Sequence, residues 1–599
     1  MRDGWAAILA VVVAGGALRP SALPLLAVGA LVLAGLVLRH PPLLCLGAAL
    51  LASALAQRSL DGLEGVRSEV IEGSVTLLTD PEPGGGGLRA EVRLGRRHLE
   101  LRVSSHLADD LADRLAGDHL VVRGEVAPLS APSPWQRSRH LAGRLTVLRW
   151  SPGTAPAPLP AAANRIRRSL ERGAAGLPDR EAALLAGLVV GDDRAQPPDL
   201  LDDLEGAGLR HLSAVSGQNV AFVLALLGPL ARRLRLWPRL AATLAAIGSF
   251  ALLTRFEPSV SRAAAMAALA ATTVTIGQPI SRLRALSLGV AALLLVDPLL
   301  VGSLGFQLST AAALAIVVAA EPLARALPGP RWLAEPMAVT AAAQLGVAPL
   351  LLGSFGRVPL ASVPANLLAV PAAGLVMVWG MTAGILAGAL PPDAAWVLHA
   401  PTRALLWWIE EVAARGARAP LGTVGATGLV AVAAGLGLLV LAGRAGWPRL
   451  RTVAAVAVGG SLYVAVVAAQ APPPLRDVLG AGVVRWHADG TEVVALGGGG
   501  WQQSLGPEAA LRALREAGVG SIDLLVAVDA RVSAAVVETV VARHPAAAVL
   551  VPSSVPVTDR PARAVALPPA GTALRVGGLD VLITPGEQRL VVEAWPAPR

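Results

Sequence analysis

Hydrophobic positions along this chain change period several times, and the changes mark its parts. Three short apolar runs, near 5–18, 22–38 and 41–57, open the sequence, separated by L-R-P-S and L-R-H-P-P. Arg2 followed by an apolar run resembles a secretory signal, but two more runs follow at once, so residues 1–60 are read as N-terminal membrane helices. From about 66 to 150 the runs are short and often alternate: E-V-I-E-G-S-V-T-L-L-T-D, L-R-A-E-V-R-L-G, H-L-E-L-R-V-S and D-H-L-V-V-R-G-E-V-A. Turn signals such as P-E-P-G-G-G-G lie between them, which predicts a small all-β domain over 61–150, an OB-like β-barrel by strand length and spacing.

A Pro/Ala linker (152–163) leads into N-R-I-R-R-S-L-E-R (164–172), a basic amphipathic helix expected to lie on a membrane surface. Apolar helices then return in series. Candidate spans lie near 209–228, 238–254, 260–277, 284–301, 303–320, 337–354, 360–390, 424–442 and 452–470, giving a membrane domain over 160–470. The run V-P-L-A-S-V-P-A-N-L-L-A-V-P (358–371) predicts broken or re-entrant helices, which survive at membrane depth only inside protein or beside a wet cavity. W-W-I-E-E-V-A-A-R (407–415) reads as an interfacial helix with Trp407 and Trp408 at headgroup level. After A-P-P-P, residues 475–599 look soluble: a hairpin over 483–496, a helix over 507–517, then a buried strand at 522–528, a layered α/β fold.

Charge adds an orientation. The loops 232–239, 281–284, 324–331 and 444–451 carry 4, 2, 2 and 3 arginines, and alternation of spans puts all four on one side, the cytoplasmic one by the positive-inside rule. The β-domain and the C-terminal unit are then both expected to be extracytoplasmic. Arg255, Arg357, Arg403, Arg415 and Arg418 fall on the opposing side and weaken the bias. The formal charge of +9 suits nucleic acid or anionic lipid without choosing between them.

Composition excludes some chemistry. Of 599 residues none is lysine, so a P-loop and a Schiff-base enzyme are both ruled out, and any ATP-driven step needs a separate protein. Cys45 is the single cysteine, which excludes an intrachain disulfide and a Cys-based zinc site. The 9 histidines form no H-x-H or H-E-x-x-H. No catalytic residue, metal ligand or cofactor is assigned.

Polar side chains inside apolar spans are the candidates for function. His211, Ser213, Ser216, Gln218 and Asn219 crowd one stretch, with Gly217 among them to admit a close neighbour or a local break. On a continuous helix Ser213, Ser216 and either Gln218 or Asn219 share roughly one face. Arg262, Gln307, Ser309, Thr310, Gln344 and Asn366 follow. Hydrogen bonding between helices is the plain alternative for any one of them.

The segment G-L-R-H-L-S-A-V-S-G-Q-N-V (208–220) is similar to the G-L-x-H-L-x-A-x-S-G-x-x-V signature of the ComEC family. P-S-V-S-R-A-A-A-M (258–266), D-P-L-L-V-G-S-L-G-F-Q-L-S (297–309) and F-G-R-V-P-L-A-S-V-P-A-N-L-L-A-V-P (355–371) resemble further family signatures in the same order. The family often has S-G-L-H-V where this chain has Gln218 and Asn219, so no histidine role carries over. The resemblance implies an inner-membrane channel for single-stranded DNA uptake in natural transformation, lying among membrane lipid and served by an outer DNA receptor and a cytoplasmic ATPase motor. Phosphate in such a path needs a wet, polar-lined and mildly positive route, and the residues just named are the channel-lining or gating candidates.

Many family members end in a metallo-β-lactamase-like domain whose H-x-H-x-D-H ligands follow a strand resembling I-D-L-L-V-A-V. Here those ligand positions become Asp529, Arg531, Ser533 and Ala534, and an acidic position after the preceding strand is replaced by A-L-G-G-G-G (495–500). An arginine opposes a cation, so the unit is expected to be a degenerate metallo-β-lactamase-like domain without hydrolase activity. A transporter of a small or lipid-like solute and a membrane-tethered nuclease are the alternative functions.

Overall fold

The computed structural model describes residues 2–599 apart from 65, 85–86, 214, 328, 356–357, 420, 446, 448–452, 455–457, 461–473, 481, 498–504, 530–531, 552–563, 567–571, 586–589 and 598–599. Arg357, Arg531, residues 498–500 and most of the 452–470 candidate span lie outside the described residues.

The protein is mostly helical. Among the described residues five helices are long and apolar enough to cross a membrane: Pro41–Asp61, Leu236–Leu253, Leu304–Ala326, Arg331–Ser354 and Ser362–Ala387. Asp3–Ala17, Leu25–Val37, Gly217–Ala231 and Ala426–Ala442 are shorter and equally apolar. Multiple apolar helices of this kind make it a multi-pass membrane protein. Local chemistry sets several boundaries. Ser281 caps Arg282–Val296 by accepting from the Arg284 amide, and Asp297 then accepts from the Leu299 amide, opening a 3-10 turn over Pro298–Gly302. The expected single span at 284–301 therefore ends at Val296. The expected break over 358–371 sits only at its start, where Val358–Pro359 pairs with Thr423–Val424. Pro364 then falls in the first turn of Ser362–Trp379, where its missing N–H leaves no bond unmade, and the helix runs on through Pro371 into a π-helical turn at Gly380–Gly384.

The β-domain uses six strands: β1 (Glu69–Leu77), β2 (Glu82–Pro83), β3 (Gly87–Leu94), β4 (Arg97–Ser104), β5 (His119–Pro128) and β6 (Leu141–Pro152). Five close into a ring in the order β1-β5-β6-β4-β3-β1, with β2 extending a hairpin from β3. All neighbours in the ring are antiparallel except β4 and β6. Strict alternation along β5 turns Leu120, Val122, Gly124 and Val126 inward, where they meet Leu99, Leu101 and Leu145.

This domain is bolted to the membrane helices by ions. Arg167, 2% exposed, donates Nη1 to the carbonyls of Val190 (2.9 Å) and Leu253 (3.2 Å) and Nη2 to Asp80 (2.9 Å) and Asp192 (3.0 Å). Arg255 donates to Asp80 and to the Asn164 side chain, and His140 pairs with Asp297 at 3.0 Å. The 164–172 segment lies in the helix Pro158–Ala174, which buries Asn164, Arg167 and Leu170 against protein and leaves Arg165, Arg168 and Arg172 exposed. Its Gly173 face packs so closely that a Cβ on the facing Gly388 would lie 1.9 Å from the Ser169 carbonyl oxygen. Asp80 and Asp192 take Arg167 from this basic stripe, while Arg165, Arg168 and Arg172 keep to the exposed face.

The C-terminal unit has a six-stranded sheet, Arg476–Gly480 through Ala564–Ala566, with the helices Pro507–Glu516 and Ala534–Arg543 on one face. A three-stranded sheet, Thr572–Val576, Leu579–Pro585 and Leu590–Pro596, packs on the other through Trp486, Val526, Val581 and Ile583. The expected hairpin is Val483–Ala488 against Thr491–Leu496. The unit docks on the Pro198–Gly206 helix through Arg512, Arg515 and Arg543.

Removing one partner from a buried ion cluster leaves the others unpaired, so Arg167→Met is expected to cost about 3–5 kcal/mol, whereas exposed Arg165→Met is close to neutral. Thermal unfolding of the detergent-solubilised pair measures the difference; equal effects would return the helix to the lipid surface. Burial alone would raise the Asp192 carboxyl, but the hydrogen bond and charge of Arg194, with the charge of Arg167, hold it at about 2 against an ordinary 3.8. A depressed carboxyl stabilises the fold above its ordinary value and loses that contribution as pH falls through the folded value. The stability gap between the native chain and Asp192→Asn is therefore expected to close between about pH 4 and pH 2.

Candidate functional site

The polar cluster does not lie on one helix. Gly208, at φ +69°, takes the left-handed conformation after the Pro198–Gly206 helix, and a 3-10 turn follows over Arg210–Leu212. The chain is then extended at Ser216 and a helix begins at Gly217. Ser213 and Ser216 thus precede the helix that carries Gln218 and Asn219, which corrects the shared helical face expected for them. The correction has a local cause: Ser213 Oγ donates to the Arg210 carbonyl at 2.7 Å, closing the turn, and Ser216 serves as N-cap residue.

Most of these groups are partnered. Ser213 is 2% exposed, and its carbonyl accepts from Gln196 Nε2 at 3.1 Å. Asn219 Nδ2 donates to the Leu188 carbonyl at 2.9 Å, and Ser216 Oγ donates to Asn219 Oδ1 at 3.3 Å. Gln307 Nε2 donates to the Val301 carbonyl and Asn366 Nδ2 to the Ser362 carbonyl, both at 2.7 Å. His211 and Gln218 are exposed. With Ser216, Asn219, Leu188 and Phe222 they line a cavity that offers water centres about 20 Å³, room for a water molecule and too little for a nucleotide. Phe222 closes its far wall against Gly374.

Arg262 stands behind Gly217. It is 9% exposed, donates Nε to Ser309 Oγ at 2.9 Å and Nη1 to Met266 Sδ at 3.2 Å. Its Nη2 lies 2.9 Å from where a Cβ on Gly217 would sit, so the glycine lets the guanidinium approach the start of the helix closely. Three arginines are buried among the described residues: Arg167 and Arg485 pair with carboxylates, and Arg262 has no carboxylate partner there. The first amides of Gly217–Ala231 are the positive end of a helix dipole, and a cation beside them adds charge of the same sign. That combination favours a hydrated anion. Nearby, burial raises the Asp193 carboxyl, as does Glu82, against Arg210, and burial raises Glu257 against Arg139.

The structure therefore brings together His211, Ser216, Gly217, Gln218, Asn219 and Arg262, and gives Ser213, Gln307 and Asn366 backbone partners. Gln196, Leu188 and Phe222 went unread in the sequence. Gln196 had a signal, an amide between two apolar segments; Phe222 had none, because a phenylalanine in an apolar run marks nothing.

These features, several apolar helices around a broken polar segment, define a polytopic membrane protein. Residues 188–446 match the model of the family described as "Competence protein". The chain is also similar to ComE operon protein 3 of Bacillus subtilis (strain 168), 28% identical over 238 residues, which is 39% of this chain and 30% of that relative's length. No solved structure matches.

If Asn219 holds Leu188, Asn219→Ala is expected to lose about 1–2 kcal/mol of stability, and Gln218→Ala to stay within about 0.5 kcal/mol. Thermal unfolding of the two variants compares them directly.

Proposed function

We propose that the chain passes single-stranded DNA across a bacterial inner membrane in natural transformation, with the break at 211–219 as its gate. The observation that carries the reading is Arg262, buried, without a carboxylate partner among the described residues, and directed at the start of the Gly217 helix. A phosphate arriving there receives the guanidinium and the positive end of the helix, while His211 and Gln218 replace part of its hydration. Because the neighbours of Arg262 are neutral, the contact attracts a phosphate without a second cation to trap it. The described form is the closed one, and passage requires Phe222 to leave Gly374.

Other parts fit this reading. The closed five-strand ring with its one parallel pair supports an OB-like β-domain, placed with the C-terminal unit on the extracytoplasmic side by the arginine bias. The C-terminal unit is a metallo-β-lactamase-like remnant without hydrolase activity. Ser533, at a former ligand position, accepts from the Val536 amide as a helix cap, and among the described residues no three His, Cys, Asp or Glu side chains converge as a metal site would need. An outer receptor delivers the strand and a cytoplasmic ATPase draws it in.

Deleting the gene is expected to abolish DNase-protected uptake of labelled DNA, and Arg262→Ala to reduce it about tenfold or more, with Arg262→Lys recovering part. Normal uptake in the deletion strain would refute the proposal. Stoichiometric zinc or manganese with nicking activity in the purified chain would restore a nuclease reading.

A further inference from the structure

The helix that leads into the gate is strongly acidic and is neutralised from elsewhere in the chain. P-D-L-L-D-D-L-E-G (198–206) has four carboxylates and no base. Asp202 and Asp203 are 4% and 2% exposed. From the membrane domain, Arg180 reaches Asp199 and Asp203 but is shared with Glu410. Arg418 of the membrane domain also acts on Asp203, and the C-terminal unit adds three cations: Arg512 Nε pairs with Glu205 at 2.7 Å, Arg515 Nε with Asp202 at 2.8 Å, and Arg543 with Asp203. A Cβ on Gly206 would lie 2.8 Å from Arg515 Cδ, so the arginine stem is seated in the helix rather than resting on its rim.

Only three residues, Ala207 to Leu209, separate this helix from the turn that carries His211. The Leu209 amide donates to the Leu204 carbonyl at 2.6 Å, the Gly208 amide to Glu205, and Gln196 ties the following Ser213 back toward Ala183. Whatever fixes residues 198–206 therefore fixes the geometry of the gate.

We infer that the C-terminal unit acts as an electrostatic clamp on the gate: docked, its Arg512, Arg515 and Arg543 neutralise the acidic helix and hold the break in place; undocked, it leaves a negative face beside the path of a polyanion and shuts that path. The inference rests on the DNA reading above. It gives a unit without hydrolase chemistry a regulatory task, and it makes any ligand that detaches the unit an inhibitor of passage.

The test uses the full chain and two readouts: hydrogen exchange of the 198–206 amides for docking, and DNase-protected DNA uptake for passage. Arg515→Glu and Arg543→Glu together are expected to speed exchange and to lower uptake about tenfold or more. Adding Asp202→Arg, opposite Arg515→Glu, is expected to restore part of both. The single exchange of Arg512→Glu with Glu205→Arg, at a more exposed pair, repeats the comparison where misfolding is less of a hazard. Unchanged exchange in the arginine variants, or faster exchange with undiminished uptake, would overturn the clamp and leave the DNA reading standing. Absence of uptake in the native chain, with charge-swap rescue of exchange intact, would instead defeat the DNA reading and with it the clamp's effect on passage.

Discussion

A guanidinium removed from water must find compensating charge, and this requirement organises the protein from end to end. With no lysine, every such site is an arginine site. Arg167 joins the β-domain to the membrane helices through Asp80 and Asp192, Arg485 ties two strands of the C-terminal sheet through Glu492, and Arg515 and Arg543 seat that unit on Asp202 and Asp203. The planar fork suits this use, since one side chain can serve several elements at once, as the four bonds of Arg167 do. Against that pattern Arg262 is the exception, and an exception of this kind is how a fold marks a place for a charge it does not itself supply.

The β-domain and the C-terminal unit stand in different relations to the break at 211–219. The β-domain reaches it through the Arg167 cluster, which also holds the end of the Asp179–Val190 helix; that helix's Leu188 carbonyl receives Asn219. The C-terminal unit reaches it from the other flank, through the acidic helix that runs into Gly208. The break is thus suspended between two ion-paired supports, and a shift in either is felt at His211–Asn219 without any change in the residues of the break.

Hydrophobic pattern disclosed most of the elements, because each membrane helix and four of the ring strands bury a face with a clear period. The strand Leu141–Pro152 was passed over: its alternation is plain, but Pro152 and the Pro/Ala stretch behind it read as linker. The gate was legible as a set of residues and misread as a shape. Apolar Val215 and Val220 flank Ser216 and Gly217, so hydropathy runs through the point where the backbone breaks, and only the Ser-Gly pair hints at a new helix start. The partners of Arg167 were beyond sequence reading, since they sit 87 and 25 residues away and nothing local distinguishes a carboxylate from a headgroup.

The central claim is that Arg262 meets phosphate, and salt dependence measures this most directly. Binding of a short single-stranded oligonucleotide to the purified full chain should weaken as salt rises, because each neutralised phosphate releases counterions. Replacing Arg262 with glutamine should flatten the slope of log affinity against log salt by about 0.7, the share of one phosphate on a single strand. An unchanged slope in a folded Arg262→Gln protein would contradict the account.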